Sequence, residues 1–223
     1  MDQNKKYFTD FLCGSGTKNV IFEPFINRNH TETLIWRRGE HLWSTPTSTL
    51  ETLISLSERT QADVVFADVR GHDNEWIEEI LSTMEKNVTT LGLGLICNSS
   101  DAIMLAERSP SVCCLALYGE LISKNLPVIR MDGSIDDSIR RGDQGYFARD
   151  NAEKILASSC DIRILGGFGI ENIVNGSPVE IYKKVRYIAE NFPQRWACGS
   201  GGIIPNENYL ELISLLGAFA NIR

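Results

Sequence analysis

No apolar run in the 223 residues approaches the roughly 18 that span a bilayer. The opening Met1-Asp2-Gln3-Asn4-Lys5-Lys6-Tyr7 also has no apolar core of the kind a secretory signal carries. No basic run offsets the acidic balance: Lys+Arg 22 against Asp+Glu 29 leaves a formal charge of −7. That argues against nucleic acid or an anionic membrane as a partner held by bulk charge. Histidine is scarce, at three residues, and no Cys-x-x-Cys or His-x-x-x-His spacing occurs. No metal site is therefore legible, and no cofactor is expected. Disorder and coiled coil are excluded as the main state, because 43% hydrophobic and 23% charged residues is ordinary globular usage. A cytoplasmic location is expected, with Cys13, Cys97, Cys113, Cys114, Cys160 and Cys198 as thiols. The sequons at Asn29, Asn87 and Asn98 carry no meaning in that compartment.

What is present is a rhythm. Short, continuous apolar runs at 19–26, 63–69, 90–97, 112–118, 127–132, 161–166 and 196–199 read as parallel strands buried on both faces. Between them, 47–60, 73–86, 177–191 and 206–219 carry the 3.6-residue apolar period of helices. The third of these opens on Ser177-Pro178-Val179-Glu180, a capping box with proline at the first helical position. Seven β–α units with room for an eighth short strand predict a compact, single-domain (β/α)8 TIM barrel over 1–223, near the lower end of the ~200–250 residues such barrels need. An open doubly wound sheet is the competing architecture. No internal repeat, low-complexity tract or linker divides the chain.

Both architectures put the active site at the carboxyl ends of the strands. There the sequence offers Asp68 with Arg70 and His72, Arg130 and Asp132, Asn27-Arg28-Asn29-His30, and two glycine-rich turns, 166–169 and 199–202. Asp68 reads as an acid/base or electrostatic group, or as the partner of Arg70. Arg130 and Asp132, two apart on a strand, share a face and form either a rim ion pair or an anion grip beside a base. His30 is a candidate acid or base near neutral pH. The turns carrying Gly167 and Ser200 suit a phosphate held on backbone N–H groups, or simply tight turns. Trp36-Arg37-Arg38-Gly39 with Trp43 reads as an interface or a lid.

Several segments resemble the uroporphyrinogen decarboxylase superfamily. These are Tyr7-Phe8-Thr9-Asp10-Phe11-Leu12 before Lys18-Asn19-Val20-Ile21-Phe22, the segment Thr60–Val69, Ile164-Leu165-Gly166-Gly167 followed by Val174-Asn175-Gly176-Ser177-Pro178-Val179-Glu180, and Gly199-Ser200-Gly201-Gly202-Ile203-Ile204-Pro205-Asn206-Glu207-Asn208. The resemblance covers both ends of the chain and is weak in the middle. It implies a barrel and, by analogy, a homodimer. It places Asp68 where the decarboxylases keep their catalytic aspartate, and Arg28 near an arginine that holds substrate carboxylates. Pro24 stands where a second such arginine is found. The superfamily's zinc methyltransferases, which act with corrinoid proteins, carry a His-x-Cys pair and a closing cysteine. Here Arg130-Met131-Asp132 and Gly201-Gly202 stand in those places, so zinc chemistry is not expected.

The leading expectation is a uroporphyrinogen-decarboxylase-like protein acting without cofactor as a decarboxylase or lyase on a small carboxylated substrate. Asp68 and His30 would be catalytic, with Arg28, Arg130, Asp132, Gly167 and Ser200 binding substrate. The alternatives are a non-catalytic paralogue that binds a corrinoid protein, and a barrel enzyme with a phosphate-bearing substrate.

Overall fold

The computed structural model describes residues 3–16, 20–21, 42–86, 92–158 and 162–222. In chain order these form α1 (Gln3–Leu12), β1 (Val20–Ile21), α2 (Pro46–Thr60), β2 (Val64–Asp68), α3 (Asn74–Lys86), β3 (Gly92–Cys97), α4 (Ser100–Arg108), β4 (Val112–Leu117), β5 (Val128–Arg130), α5 (Ile135–Arg141), β6 (Gly145–Ala148), α6 (Ala152–Ser158), β7 (Arg163–Gly166), α7 (Ile170–Val174), α8 (Pro178–Asn191), β8 (Trp196–Cys198) and α9 (Tyr209–Ala220).

The strands β2 to β8 make one continuous, all-parallel sheet in sequential order, flanked by helices, and the two-residue β1 adds to its β8 edge. This is a barrel-like α/β fold. The closed eight-stranded barrel expected from the sequence is corrected to an open sheet, because among the described residues β1 and β2 do not pair. The rest of the strand expected over 19–26 lies outside the described residues. None of the described helices is long and apolar enough to cross a membrane.

The alternation of side chains across each strand sorts the core into two layers. Val65, Ala67, Leu93, Leu95, Leu115, Leu117, Ile164 and Trp196 face outward and pack under the helices. Val64, Phe66, Ile96, Cys114, Ala116, Ile129, Phe147, Leu165 and Ala197 face the concave side, where Phe8, Phe11 and Leu12 of α1 join them. Gly94 makes room there: a Cβ on it would strike the Phe66 ring and come 3.0 Å from the Cys114 sulfur. Helix α1 lies at the amino ends of the strands. Arg163, the first residue of β7, donates from Nε to the Phe11 carbonyl at 3.0 Å, and Leu12 reaches the start of β6 beside Gly145.

Local chemistry explains the helix starts. Ser177 caps α8 as the sequence predicts: the Glu180 N–H donates to its Oγ (3.3 Å) and the Glu180 carboxylate accepts from its N–H (2.8 Å). Thr45 and Ser48 build a second capping box before Pro46 at the start of α2. Glu107, near the end of α4, accepts from the Ser123 hydroxyl (2.6 Å) and the Lys124 N–H (2.8 Å). These bonds hold its carboxyl below the ordinary range and fix the turn that leads into β5.

Candidate functional site at the carboxyl ends of the strands

Strand β2 delivers Asp68 to the rim. Val64 and Phe66 face the concave side, so alternation directs Asp68 the same way, and it is the first exposed residue of the strand. Past the strand the chain turns at Gly71, whose φ of +80° suits glycine, and Arg70 folds back over Asp68. Its Nε donates to Oδ1 at 2.8 Å and its Nη2 to Oδ2 at 2.6 Å, a side-on bidentate fork, while the Arg70 backbone N–H also reaches Oδ1 at 3.1 Å. The hydrogen bond to Asp68 holds the guanidinium proton more firmly than usual. The guanidinium carbon stands 4.9 Å from the centroid of the Tyr118 ring, a cation–π contact across to the end of β4. The pair is half open to solvent, at 38% for the Arg70 side chain and 46% for that of Asp68.

Asp132, past β5, turns both carboxylate oxygens to the Gly119 N–H, at 3.0 and 3.1 Å. Next to it the Tyr146 hydroxyl donates to the Gly133 carbonyl at 2.9 Å. Burial raises the Tyr146 phenol above its ordinary value, with Arg149 pulling it down and Asp132 pushing it up.

Arg130 has a different job from the one its sequence position suggested. It does not pair with Asp132, and its side chain is 0% exposed. Its neighbours Ile129 and Met131 face the concave side, so Arg130 points outward. Nε and Nη2 grip Asp143, both at 3.0 Å, while Nη1 and Nη2 also donate to the Gly119 and Leu121 carbonyls at 2.7 and 2.9 Å. Arg130 is thus a buried clamp on the loop after β4, out of reach of a ligand.

The two glycine-rich turns bind each other. Phe168 N–H donates to Gly199 O (3.4 Å), Gly201 N–H to Phe168 O (3.1 Å), and Ala152 N–H to Gly167 O (3.2 Å). Ser200 is fully buried and sits on a parallel bridge to Phe168. Glycine is needed at 201 for space, since a Cβ there would fall on the Arg149 backbone carbonyl. Two N–H groups that the phosphate reading would use are therefore taken up by the fold. Arg28 and His30 lie outside the described residues, as do 36–39 and Cys160.

In the sequence Arg70 is legible only as the partner of Asp68, and Tyr146 and Arg149 are not legible, because the four-residue strand β6 carries too little periodicity. The signal for Arg70 was its spacing, two residues past a strand-terminal aspartate. Among the described residues no group of three or more His, Cys, Asp or Glu could hold a metal.

The thiols around the sheet are inert by placement. Burial, with the charge of Asp68 adding to it, pushes Cys97 up to about 12, and burial raises Cys114 and Cys198 well above the ordinary thiol value. Cys13 is exposed. Alkylation with iodoacetamide at pH 8 should therefore label Cys13 rapidly, and Cys97, Cys114 and Cys198 only on unfolding. Peptide mapping of the quenched protein reads this directly, and fast labelling at Cys97 would contradict it.

A scan of the chain against protein-family models gives no match, and a search of curated proteins gives none either.

Proposed function

We propose that the rim around Asp68 binds a small carboxylated substrate and that the chain is a uroporphyrinogen-decarboxylase-like lyase working without cofactor. The observation that carries the reading is the Asp68–Arg70 fork, laid on Tyr118 at the carboxyl ends of β2 and β4 and open to solvent. An arginine in a bidentate geometry at a strand mouth fits a carboxylate by shape as well as charge. In this reading Arg28 and His30, which lie outside the described residues, take the roles that the sequence resemblance implies for the one and the loop position for the other.

The chemistry asked of the site is modest. The C–CO2 bond breaks, and its electron pair moves into an acceptor within the substrate, such as a protonated ring or a carbonyl. CO2 leaves, and a proton returns to the carbon. Asp68 stabilises the cationic acceptor electrostatically, a role that suits a carboxylate fixed by its neighbours at the mouth of a sheet.

The test is CO2 release from a panel of tetrapyrrole carboxylates and small di- and tricarboxylates, with binding followed by thermal shift. At least one carboxylate should raise the unfolding midpoint and release CO2, and Asp68→Asn should slow that release about 10²–10⁴-fold. A panel that neither binds nor reacts overturns the reading.

A further inference from the structure

We infer that Arg70 is an exchangeable carboxylate receptor: it holds Asp68 in the free protein and passes to the ligand's carboxylate on binding, which releases Asp68 for its work. The inference rests on the proposed carboxylate site and deepens it, by naming what selects the substrate.

Asp68 is an internal competitor. It occupies the Nε–Nη2 edge of Arg70 with two short bonds, at 2.8 and 2.6 Å, the geometry an incoming carboxylate would reproduce. The pair stands half in solvent, with 38% and 46% of the two side chains exposed. Ion pairs in that setting are easily opened, because water competes for both partners. A ligand carboxylate thus replaces like with like, at little desolvation cost. The contrast with Arg130 is direct. Arg130 also grips an aspartate side-on, but at 0% exposure and with two backbone carbonyls as further acceptors, so no ligand displaces that pair.

The two halves of the pair also stay in place when parted. Tyr118 gives Arg70 an anchor besides Asp68, with its guanidinium carbon 4.9 Å from the ring centroid. Asp68 keeps the Arg70 backbone N–H at 3.1 Å on Oδ1. Exchange therefore leaves an arginine facing the ligand's carboxylate and an aspartate free of its cationic partner at the strand end. A compound without a carboxylate leaves Asp68 in the fork. Arg70 is then the residue that restricts the site to carboxylates.

The prediction has an unusual sign. Removing a catalytic carboxylate should strengthen ligand binding. Citrate and succinate serve as probes, with succinamide as the uncharged control, titrated calorimetrically into the wild type, Asp68→Asn and Arg70→Gln. Exchange predicts that Asp68→Asn binds the carboxylate probes about two- to fivefold more tightly than the wild type, the range an exposed competing pair implies. Arg70→Gln should weaken them about two- to fivefold, since the ligand's fork is an exposed charge pair like the one it replaces. Succinamide should bind none of the three. In wild-type protein the Arg70 Nε–H resonance should shift on citrate addition while backbone signals of the sheet hold still. Both residues are exposed, so the variants should fold, and circular dichroism checks this.

The outcomes separate the two proposals. If the wild type binds carboxylates and releases CO2 but Asp68→Asn binds them no more tightly, exchange is wrong and the function stands. Exchange is equally wrong, with the function intact, if Arg70→Gln binds as well as the wild type. If no variant binds a carboxylate, the functional reading fails and takes the exchange with it.

Discussion

Arg130→Met should lower the free energy of unfolding by about 3–5 kcal/mol, the usual cost of leaving one member of a buried ion pair without the other. The Asp143 side chain is 4% exposed, so its charge would have to be held in the interior. Arg141 stands 3.5 Å away from the same carboxylate at Nε, too far to replace the lost fork. The carbonyls of Gly119 and Leu121 lose their donors as well. A domain of ordinary stability, about 5–15 kcal/mol, would fall to a fraction of its margin. The measurement is urea unfolding, where a slope of about 2 kcal/mol/M turns the loss into a midpoint about 2 M lower. Arg130→Met combined with Asp143→Leu should recover part of it, since paired removal leaves no buried carboxylate behind and Arg141, 20% exposed, keeps Glu120. A single variant within about 1 kcal/mol of wild type would show that the clamp is not what holds the loop.

The second large effect is at the opposite end of the sheet. Phe8 and Phe11 are 0% exposed and form the concave layer's floor, with their rings 6.1 Å apart and Phe8 edge-on to Phe66 at 6.5 Å. Phe11→Ala should cost about 3–5 kcal/mol, the transfer free energy of the ring plus the cavity left behind. The Arg163 bond to the Phe11 carbonyl keeps the backbone in place, so the cavity cannot readily collapse. Unfolding in denaturant gives the size of the loss. Hydrogen exchange tells whether α1 has come away or the whole sheet has loosened. A loss below about 1 kcal/mol would mean that α1 is an ornament on the sheet and not its floor.

These two sites differ in how well the sequence foretold them. Continuous apolar runs such as 112–118 and 92–97 gave away buried parallel strands, and the Ser177–Glu180 box gave away the start of α8, because both signals are local. Strand β6 was illegible: four residues, Gly145–Ala148, with half-buried Tyr146 among them, carry too little periodicity to register. Arg130 was misplaced for a geometric reason. The alternation rule that put it beside Asp132 holds only within a strand, and β5 ends at Arg130. Beyond that point Asp132 turns to Gly119, while Arg130 finds Asp143, 13 residues on. Asp68 and Arg70 are both visible as residues, but the stacking of Arg70 on Tyr118, far along the chain, is a product of the β2–β3–β4 order and of nothing nearby in the sequence.

The floor helix also sets a schedule. Its carbonyl at Phe11 receives Arg163 from a strand 152 positions later, and its rings belong to a cluster whose other members are drawn from β2 through β8. During synthesis α1 emerges before the strands that it packs against, the last of which is β8. Contacts of such separation are slow to form, since the loop must close before the contact can reward it. In that interval two phenylalanine rings are unclaimed. The contacts that seat α1 thus form late, and its two rings are what a holding chaperone would meet in the interval.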